Sequence, residues 1–195
     1  MITDTADQEF LLASSEFLQG VSLFKGRKLP EAKPFLKSSA AKYRKMDEEM
    51  EFRALNILGL TYIYIEERDS AIYLFQDIIK RIPSTNKKGI ISAHGNLGLA
   101  YRQAADFGKA IYHFEKVYEL DSTDAFTSVN VAMNIARMYI DIELYDKAIE
   151  TLKKADISRL PNIPPKAVYF NNIADAYQQK NELDSAKAYF QKAHD

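Results

Sequence analysis

The sequence contains no cysteine and no tryptophan, and it is poor in glycine and proline. Without cysteine there is no disulfide framework, no thiolate metal site and no cysteine nucleophile. Seven glycines and six prolines make up about 7% of the 195 residues, where average usage is about 12%. This shortage argues against a turn-rich all-β protein and against a flexible linker.

The sequence also lacks an excess of charge of either sign and a long apolar run. Lysine and arginine number 26 against 27 aspartates and glutamates, so no basic face indicates a nucleic-acid partner. The most apolar window, Ala54–Ile65, is too short to cross a bilayer and contains Asn56. With 47% hydrophobic residues, we expect a soluble globular chain without membrane insertion, in the cytoplasm or periplasm.

The chain does contain an internal repeat, in which two spacings between residues recur. A small residue precedes an aromatic or large apolar residue by three positions, and an alanine follows the small residue by twelve. The intervals between the alanines are 39, 39, 38 and 38 residues. The five copies are Gly20, Leu23 and Ala32; Gly59, Tyr62 and Ala71; Gly98, Tyr101 and Ala110; Ala136, Tyr139 and Ala148; Ala174, Tyr177 and Ala186.

Each copy predicts two amphipathic helices, because its apolar residues recur at i, i+3 or i+4, and i+7. The small residues predict a close helix crossing that a bulky side chain would block. Before the alanines, Asp69, Asp146 and Asp184 predict the starts of second helices, where a carboxylate accepts backbone N–H groups. Because no pair buries its apolar face alone, the copies are expected to stack.

The pattern small-x-x-Tyr, then Ala-x-x-x-Phe-x-x-Ala, then a proline such as Pro83, resembles the tetratricopeptide repeat. The resemblance implies an all-α, right-handed superhelical solenoid of about five antiparallel helix pairs, in a single domain over residues 1–195. The repeats are expected at residues 8–45, 47–83, 86–122, 125–160 and 163–195.

The period is four or five residues longer than the 34 of the family. The extra residues are Asp47–Glu51, Asn86–Ile90, Ala125–Ser128 and Ile163–Lys166. We expect them to lengthen the first helices by about one turn. Candidate starts of the longer helices are Ser84, Ser122, Asp124 and Pro164-Pro165. Repeats of this length are similar to those of kinesin light chains and of peptide-binding bacterial signalling proteins.

In the family, first helices line a concave groove, so the resemblance implies candidate peptide-binding residues there. An asparagine amide pairs with both the C=O and the N–H of a foreign backbone. The alternatives are a structural role for the asparagines, and ion pairing of Arg137 with Asp141 or Asp175. The candidates are Asn56, Asn96, Arg102, Asn130, Asn134, Arg137, Asn171, Asn172 and Asp175.

The predicted groove is apolar in its first two copies and polar in the other three. The apolar part is Phe17, Leu18, Phe24, Ile57, Leu60, Ile63 and Tyr64. Three explanations stay open at this point. The ligand is amphipathic, or residues near the N-terminus cover the apolar end, or the chain self-associates.

Nothing in the sequence predicts catalysis, a cofactor or a metal. The three histidines are isolated, and the chain has neither a phosphate-binding glycine-rich loop nor a Gly-x-Ser-x-Gly elbow. We therefore expect a non-catalytic module that binds a protein or peptide. The alternatives are a regulatory sensor domain of a larger bacterial signalling or transcription regulator, and a self-assembling scaffold.

The C-terminal end lacks the polar capping helix with which repeat arrays usually finish. The last apolar stripe closes at Ala193, two residues before the end. We expect the chain to be a fragment of a longer protein, or to form a homo-oligomer through the uncapped terminal helix.

Overall fold

The computed structural model describes residues 5–121, 124–158, 160 and 165–194. In these stretches the backbone forms ten α-helices and no strand, which confirms the all-α prediction. The helices are α1 (Thr5–Lys25), α2 (Leu29–Tyr43), α3 (Glu48–Tyr64), α4 (Arg68–Arg81), α5 (Lys87–Gln103), α6 (Phe107–Asp121), α7 (Ala125–Asp141), α8 (Tyr145–Lys153), α9 (Pro165–Gln179) and α10 (Leu183–His194).

Side-chain caps begin three of the first helices. The extra residues supply both the cap and the first turn of α3 and α5, and the first turn of α7. An Asp or Asn oxygen accepts a backbone N–H three residues ahead, which satisfies one orphan donor of the helix. Asp124 is a predicted start, whereas Ser84 is not the cap of α5. Ser122 and Pro164 lie outside the described residues. The bonds are Met50 to Asp47 at 3.0 Å, Gly89 to Asn86 at 2.9 Å and Thr127 to Asp124 at 2.7 Å.

The second helices begin differently from the prediction. Asp69 and Asp146 are the second residues of α4 and α8, and the residues before these helices make no side-chain cap bond. Their carboxylates act instead on the positive end of the helix dipole. Asp184 holds the same place in α10. In α6 the cap is Asp106, whose carboxylate accepts the N–H of Lys109 at 3.2 Å.

Each helix pair is joined by the same left-handed turn. The second residue after the first helix has a φ between 59° and 66° in all five copies. In the second copy the N–H of Glu66 bonds to the carbonyl of Ile63 at 3.1 Å, and that of Glu67 to Tyr62 at 2.9 Å. These two bonds define a Schellman motif. The left-handed residues are Arg27, Glu66, Ala105, Glu143 and Asn181.

The chain divides into two compact units, residues 1–110 and 111–195, with the boundary inside α6. In the first unit, Tyr43 is fully buried and its hydroxyl donates to Oγ of Ser14 at 2.9 Å. The rings of Phe10 and Phe17 meet Tyr43 edge-on, with centroids 5.8 and 6.4 Å away. The prediction of a single domain over residues 1–195 stays a prediction.

The core of the second unit is formed by α7, α8, α9 and the segment after α8. Tyr169 is buried there and donates its hydroxyl to the carbonyl of Leu152 at 2.8 Å. This burial raises the pKa of the Tyr169 phenol. The bond links α9, the first helix of the fifth copy, to α8, the second helix of the fourth copy.

Candidate functional site

In the first unit, two predicted site residues meet across neighbouring first helices. Nδ2 of Asn96, on α5, donates to Oδ1 of Asn56, on α3, at 2.8 Å. Oγ of Ser92 donates to the same oxygen at 3.1 Å. We call Asn56, Ser92 and Asn96 the asparagine cluster; all three side chains are half-buried.

The asparagine cluster keeps part of its hydrogen-bonding capacity. The bonds above use the acceptor of Asn56 and one donor of Asn96. Within the described part of the chain, Nδ2 of Asn56 and Oδ1 of Asn96 make no hydrogen bond. One amide therefore offers a donor and its neighbour offers an acceptor, which is the pair that a peptide group of a foreign backbone requires.

A cleft of about 380 Å³ opens beside the cluster, between the N-terminal halves of α3 and α5. We call it the first-helix cleft. Its apolar lining is Phe52, Ile57, Ile78, Ile82 and Ala93. Its polar and charged lining is Glu49, Arg53, Asn56, Asn86, Lys88 and Ser92.

Gly89 keeps this cleft open at its α5 side. A Cβ built on Gly89 would collide with Cδ1 of Ile82 and would lie 2.9 Å from the amide of Asn86. Since Asn86 caps α5, a larger residue at position 89 would displace both the cleft wall and the cap. Ser92, Lys88 and Gly89 were not predicted from the sequence, although a glycine in the first turn of a helix was a usable signal.

The apolar part of the predicted groove is less open than expected. Phe17 and Ile63 are only 8% exposed, so they belong to the core and do not present a surface. Leu18 and Tyr64 are exposed, at 66% and 53%. Tyr64 packs beside Phe24, and the guanidinium of Arg27 lies 5.7 Å from the centre of its ring.

Arg102 lies half-buried near the C-terminal end of α5. The next residue, Gln103, ties α5 to α3, because its Nε2 donates to the carbonyl of Ile63 at 2.9 Å. Among the described residues, Oε1 of Gln103 is the one buried side-chain oxygen or nitrogen without a partner. Gln103 therefore has a structural role, because it holds the C-terminal ends of α3 and α5 together.

In the second unit, the asparagines bond within their own helices. Nδ2 of Asn134 donates to the carbonyl of Asn130 at 3.0 Å. Nδ2 of Asn172 donates to the carbonyl of Val168 at 2.9 Å. Asn171 is exposed on α9. No bond between these asparagines links α7 to α9 in the described residues, in contrast to the cluster of the first unit.

An ion pair links the first helices of the second unit. Nη1 of Arg137, on α7, lies 3.7 Å from a carboxylate oxygen of Asp175, on α9. Nε of Arg137 lies at the same distance from Asp141. The side chains of Arg137 and Asp175 are 46% and 43% exposed, so both stay accessible from outside.

Another repeated contact was missed in the sequence. Nε2 of Gln76 donates to the hydroxyl of Tyr101 at 2.7 Å, and Nζ of Lys153 donates to that of Tyr177 at 2.7 Å. Gln76 and Lys153 occupy the same place in their copies, one residue after the large apolar position. Tyr101 and Tyr177 of the tyrosine column are therefore each bonded to the preceding copy, and the bond to Tyr177 raises the pKa of Lys153.

Two further features bear on other functions. Among the described residues, no group of three or more histidine and acidic side chains is placed to hold a metal ion. In the same residues, no helix combines the length and the apolar character that crossing a membrane requires.

The tetratricopeptide repeat family matches three stretches of the chain, residues 91–124, 129–156 and 167–193. Over 89 residues, the chain is 36% identical to the STIP1 homolog of Dictyostelium discoideum. That alignment covers 43% of this chain, and the chain spans only 15% of the relative's length.

Solved structures resemble the chain over nearly its whole length. A Podosopora anserina protein of kinesin light chain type, with nearly identical TPR-like repeats, has a TM-score of 0.77 at 16% identity, with 95% of this chain and 94% of that chain covered. BtubC (BKLC) from P. vanneervenii has a TM-score of 0.72 at 13% identity, with 98% and 91% covered. Three stretches of the chain therefore match tetratricopeptide repeats, and the chain has the all-α fold of tetratricopeptide-repeat proteins.

Proposed function

We propose that this chain is a non-catalytic binding module that holds an extended segment of a partner protein against its first helices. Tetratricopeptide-repeat folds typically mediate protein–protein interaction and are generally non-catalytic. The proposal goes further by assigning the contact to particular residues. The predicted alternatives, a regulatory sensor domain and a self-assembling scaffold, stay predictions.

The asparagine cluster is the observation that carries the proposal. Asn56 holds Asn96 in place by the 2.8 Å bond, so both amides are oriented before a ligand arrives. The free donor of Asn56 and the free acceptor of Asn96 suit the carbonyl and the N–H of an extended backbone. Each such bond contributes a net ~0.5–1.5 kcal/mol, so the cluster alone gives weak, sequence-independent binding.

The first-helix cleft supplies the side-chain contacts that the cluster lacks. Its apolar lining beside the cluster suits one apolar side chain of the bound segment. Arg53 and Lys88 outnumber Glu49 among its charged groups, so an acidic residue next to that side chain is favoured over a basic one. With these contacts added, ~μM affinity is the expectation.

In the second unit, the Arg137–Asp175 pair supports a similar role. Exposed ion pairs contribute only about 0–1 kcal/mol, so a ligand carboxylate can replace Asp175 at small cost. The distance of 3.7 Å leaves the guanidinium without a close bidentate bond to Asp175. Arg137 is thus a second contact for an acidic partner, with Asn130, Asn134, Asn171 and Asn172 on the same two helices.

The proposal is tested by selecting peptides from a random phage-displayed library on the immobilised chain. The dissociation constant of a selected peptide is then measured by calorimetry for the chain and for Asn96→Ala and Asn56→Ala. Loss of one backbone hydrogen bond is expected to weaken binding roughly 2- to 13-fold in each variant.

Gln19→Ala is the matched control, since Gln19 is an exposed amide on the first helix α1, outside the cluster and the cleft. It is expected to leave the affinity unchanged. If selected peptides bind both asparagine variants as tightly as the unchanged chain, the cluster is not the binding site and the proposal fails.

A further inference from the structure

A second cleft of about 340 Å³ lies on the opposite side of α3 from the asparagine cluster, where α2 and α4 flank it. We call it the second-helix cleft. Its apolar lining is Ala40, Ala41, Leu55, Leu58 and Leu74, with the aromatic side chain of Tyr73 beside them. Tyr73 is 74% exposed, the highest value among the large hydrophobic residues of the described chain.

The second-helix cleft carries uncompensated positive charge. Both of its carboxylates are held by Arg81, with Glu51 at 2.5 Å and Asp77 at 2.8 Å. The other two cations, Lys37 and Arg44, make no ion pair with any described residue. Both are exposed. Lys37 lies on α2 and Arg44 directly follows its last residue with right-handed helical backbone angles, so the separation of seven residues places them on one face about 10 Å apart.

An acidic and apolar surface of the right kind is present on the same protein, at the start of α1. Leu11 and Leu12 are 64% and 51% exposed, because α1 packs against its neighbours through the opposite face. Asp7 lies four residues before Leu11, and Glu9 lies three residues before Leu12. Both acidic residues are exposed, and each shares a face with its leucine.

We propose that the start of α1 in one copy of this chain docks into the second-helix cleft of another copy. Leu11 and Leu12 leave water for the apolar lining, Asp7 approaches Lys37 and Arg44 from one flank of α1, and Glu9 adds negative charge on the other flank. The match is one of charge and of apolar character on both sides, which favours a second copy over an unrelated partner. The two surfaces differ, so the contact is head-to-tail and propagates into open chains or rings.

This association goes beyond the proposed function, because neither surface includes the asparagine cluster or the first-helix cleft. A copy that is engaged in the contact keeps its peptide-binding residues free. The result of the peptide-binding experiment therefore neither supports nor contradicts the proposed association between copies.

Sedimentation velocity of the chain from 10 μM to 1 mM tests the proposal. The weight-average mass is expected to rise with concentration. Two charge reversals, Lys37→Glu/Arg44→Glu and Asp7→Lys/Glu9→Lys, are each expected to return the mass to that of the monomer. An equimolar mixture of the two variants is expected to associate again, since each then presents a complementary surface to the other.

Two further variants separate a specific contact from general charge effects. Lys80→Glu/Lys87→Glu changes the net charge as much as the cleft reversal but alters exposed lysines outside the cleft, and its association is expected to match that of the unchanged chain. Leu11→Ser/Leu12→Ser keeps the charge and is expected to lose association. Circular dichroism confirms that each variant is folded.

A chain that stays monomeric at 1 mM overturns the proposal. So does association that survives both charge reversals, or a mixture of the reversed variants that remains monomeric.

Discussion

Gly59 on α3 lies against the ring of Phe75 on α4, with no room for a side chain between them. A Cβ built on Gly59 would overlap the ring and would lie 2.6 Å from Cε2 of Phe75. Phe75 is fully buried. The first copy repeats the arrangement, since a Cβ on Gly20 would lie 2.8 Å from Cγ of Leu36. The small residue of each of these copies thus sets the distance between its two helices.

Gly59→Ala is therefore expected to destabilise the fold by about 1–3 kcal/mol, because the methyl group must displace a buried aromatic ring. Urea denaturation followed by circular dichroism measures the change. Gly108→Ala is the control, since a Cβ there meets nothing nearer than a carboxylate oxygen of Asp106 at 4.0 Å. An equal loss in both variants, or none in Gly59→Ala, would contradict the close crossing.

The left-handed turns provide a stabilising substitution. Ala105 has a φ of 59°, a conformation that costs an L-residue about 1–2 kcal/mol and glycine almost nothing. After the extra chain entropy of glycine, Ala105→Gly is expected to gain about 0.5–1 kcal/mol. Ala104→Gly should bring no gain, because Ala104 has a φ of −81°. The melting temperatures of both variants, compared with that of the unchanged chain, test this prediction. A higher melting temperature is expected for Ala105→Gly alone.

Much of the fold could be predicted because its determinants are residue types at fixed spacing. Burial of the alanine column follows from that spacing: Ala32, Ala71, Ala110 and Ala148 are all fully buried. The extra residues could be assigned to first helices because helix caps have a recognisable composition. The exact cap was harder to predict, since Ser84 and Asn86 are both good caps and only the path of the chain selects Asn86.

The turns and the site could be predicted less well. The left-handed positions hold Arg, Glu, Ala, Glu and Asn, and only Asn is a residue that favours this conformation. At the site, Asn96 bonds to Asn56, which lies one position earlier in its own copy, so this contact does not join residues of one repeat column. Contacts between copies depend on this offset of one position. The offset cannot be predicted from the residues of one repeat column alone.

The ion pair between Glu51 and Arg81 links α3 to α4, with the Glu51 side chain only 4% exposed. Arg81→Met would leave this carboxylate buried without its partner, and a loss of about 3 kcal/mol is expected. Replacing both residues, as Glu51→Gln/Arg81→Met, should recover part of the loss.

Lys80→Met is the control for that experiment, since it removes the neighbouring exposed charge and should change stability by less than about 0.5 kcal/mol. Denaturation of the unchanged chain, Glu51→Gln, Arg81→Met and Glu51→Gln/Arg81→Met at pH 7 gives the coupling free energy of the pair. Single and double variants with additive losses would show that the pair is not coupled.

Asp106 provides a pH-dependent prediction. The hydrogen bond from the Lys109 side chain, with a smaller contribution from its backbone N–H, lowers the pKa of Asp106 below its ordinary value of 3.8. A lowered pKa in the folded state means that the carboxylate stabilises the start of α6 above pH 3.8. This contribution is lost as the pH falls through the folded-state pKa.

NMR titration of the Asp106 carboxyl carbon measures this pKa directly. It is expected below 3.8 in the unchanged chain, and it should rise towards 3.8 in Lys109→Ala. Lys116→Ala should leave it unchanged, since Lys116 pairs with Glu119. A pKa at or above 3.8 in the unchanged chain would rule out the bond to Lys109 as a feature of the folded protein in solution.

The most direct test of the binding account is a ¹H–¹⁵N NMR titration with an equimolar pool of random nonapeptides, acetylated and amidated at their ends. Because the proposed contact is to the peptide main chain, a pool without a common sequence should still bind. The side-chain NH₂ signals of Asn56 and Asn96 are expected to shift and saturate at micromolar to millimolar peptide. Unchanged asparagine signals at millimolar peptide, or shifts confined to the second helices, would contradict it.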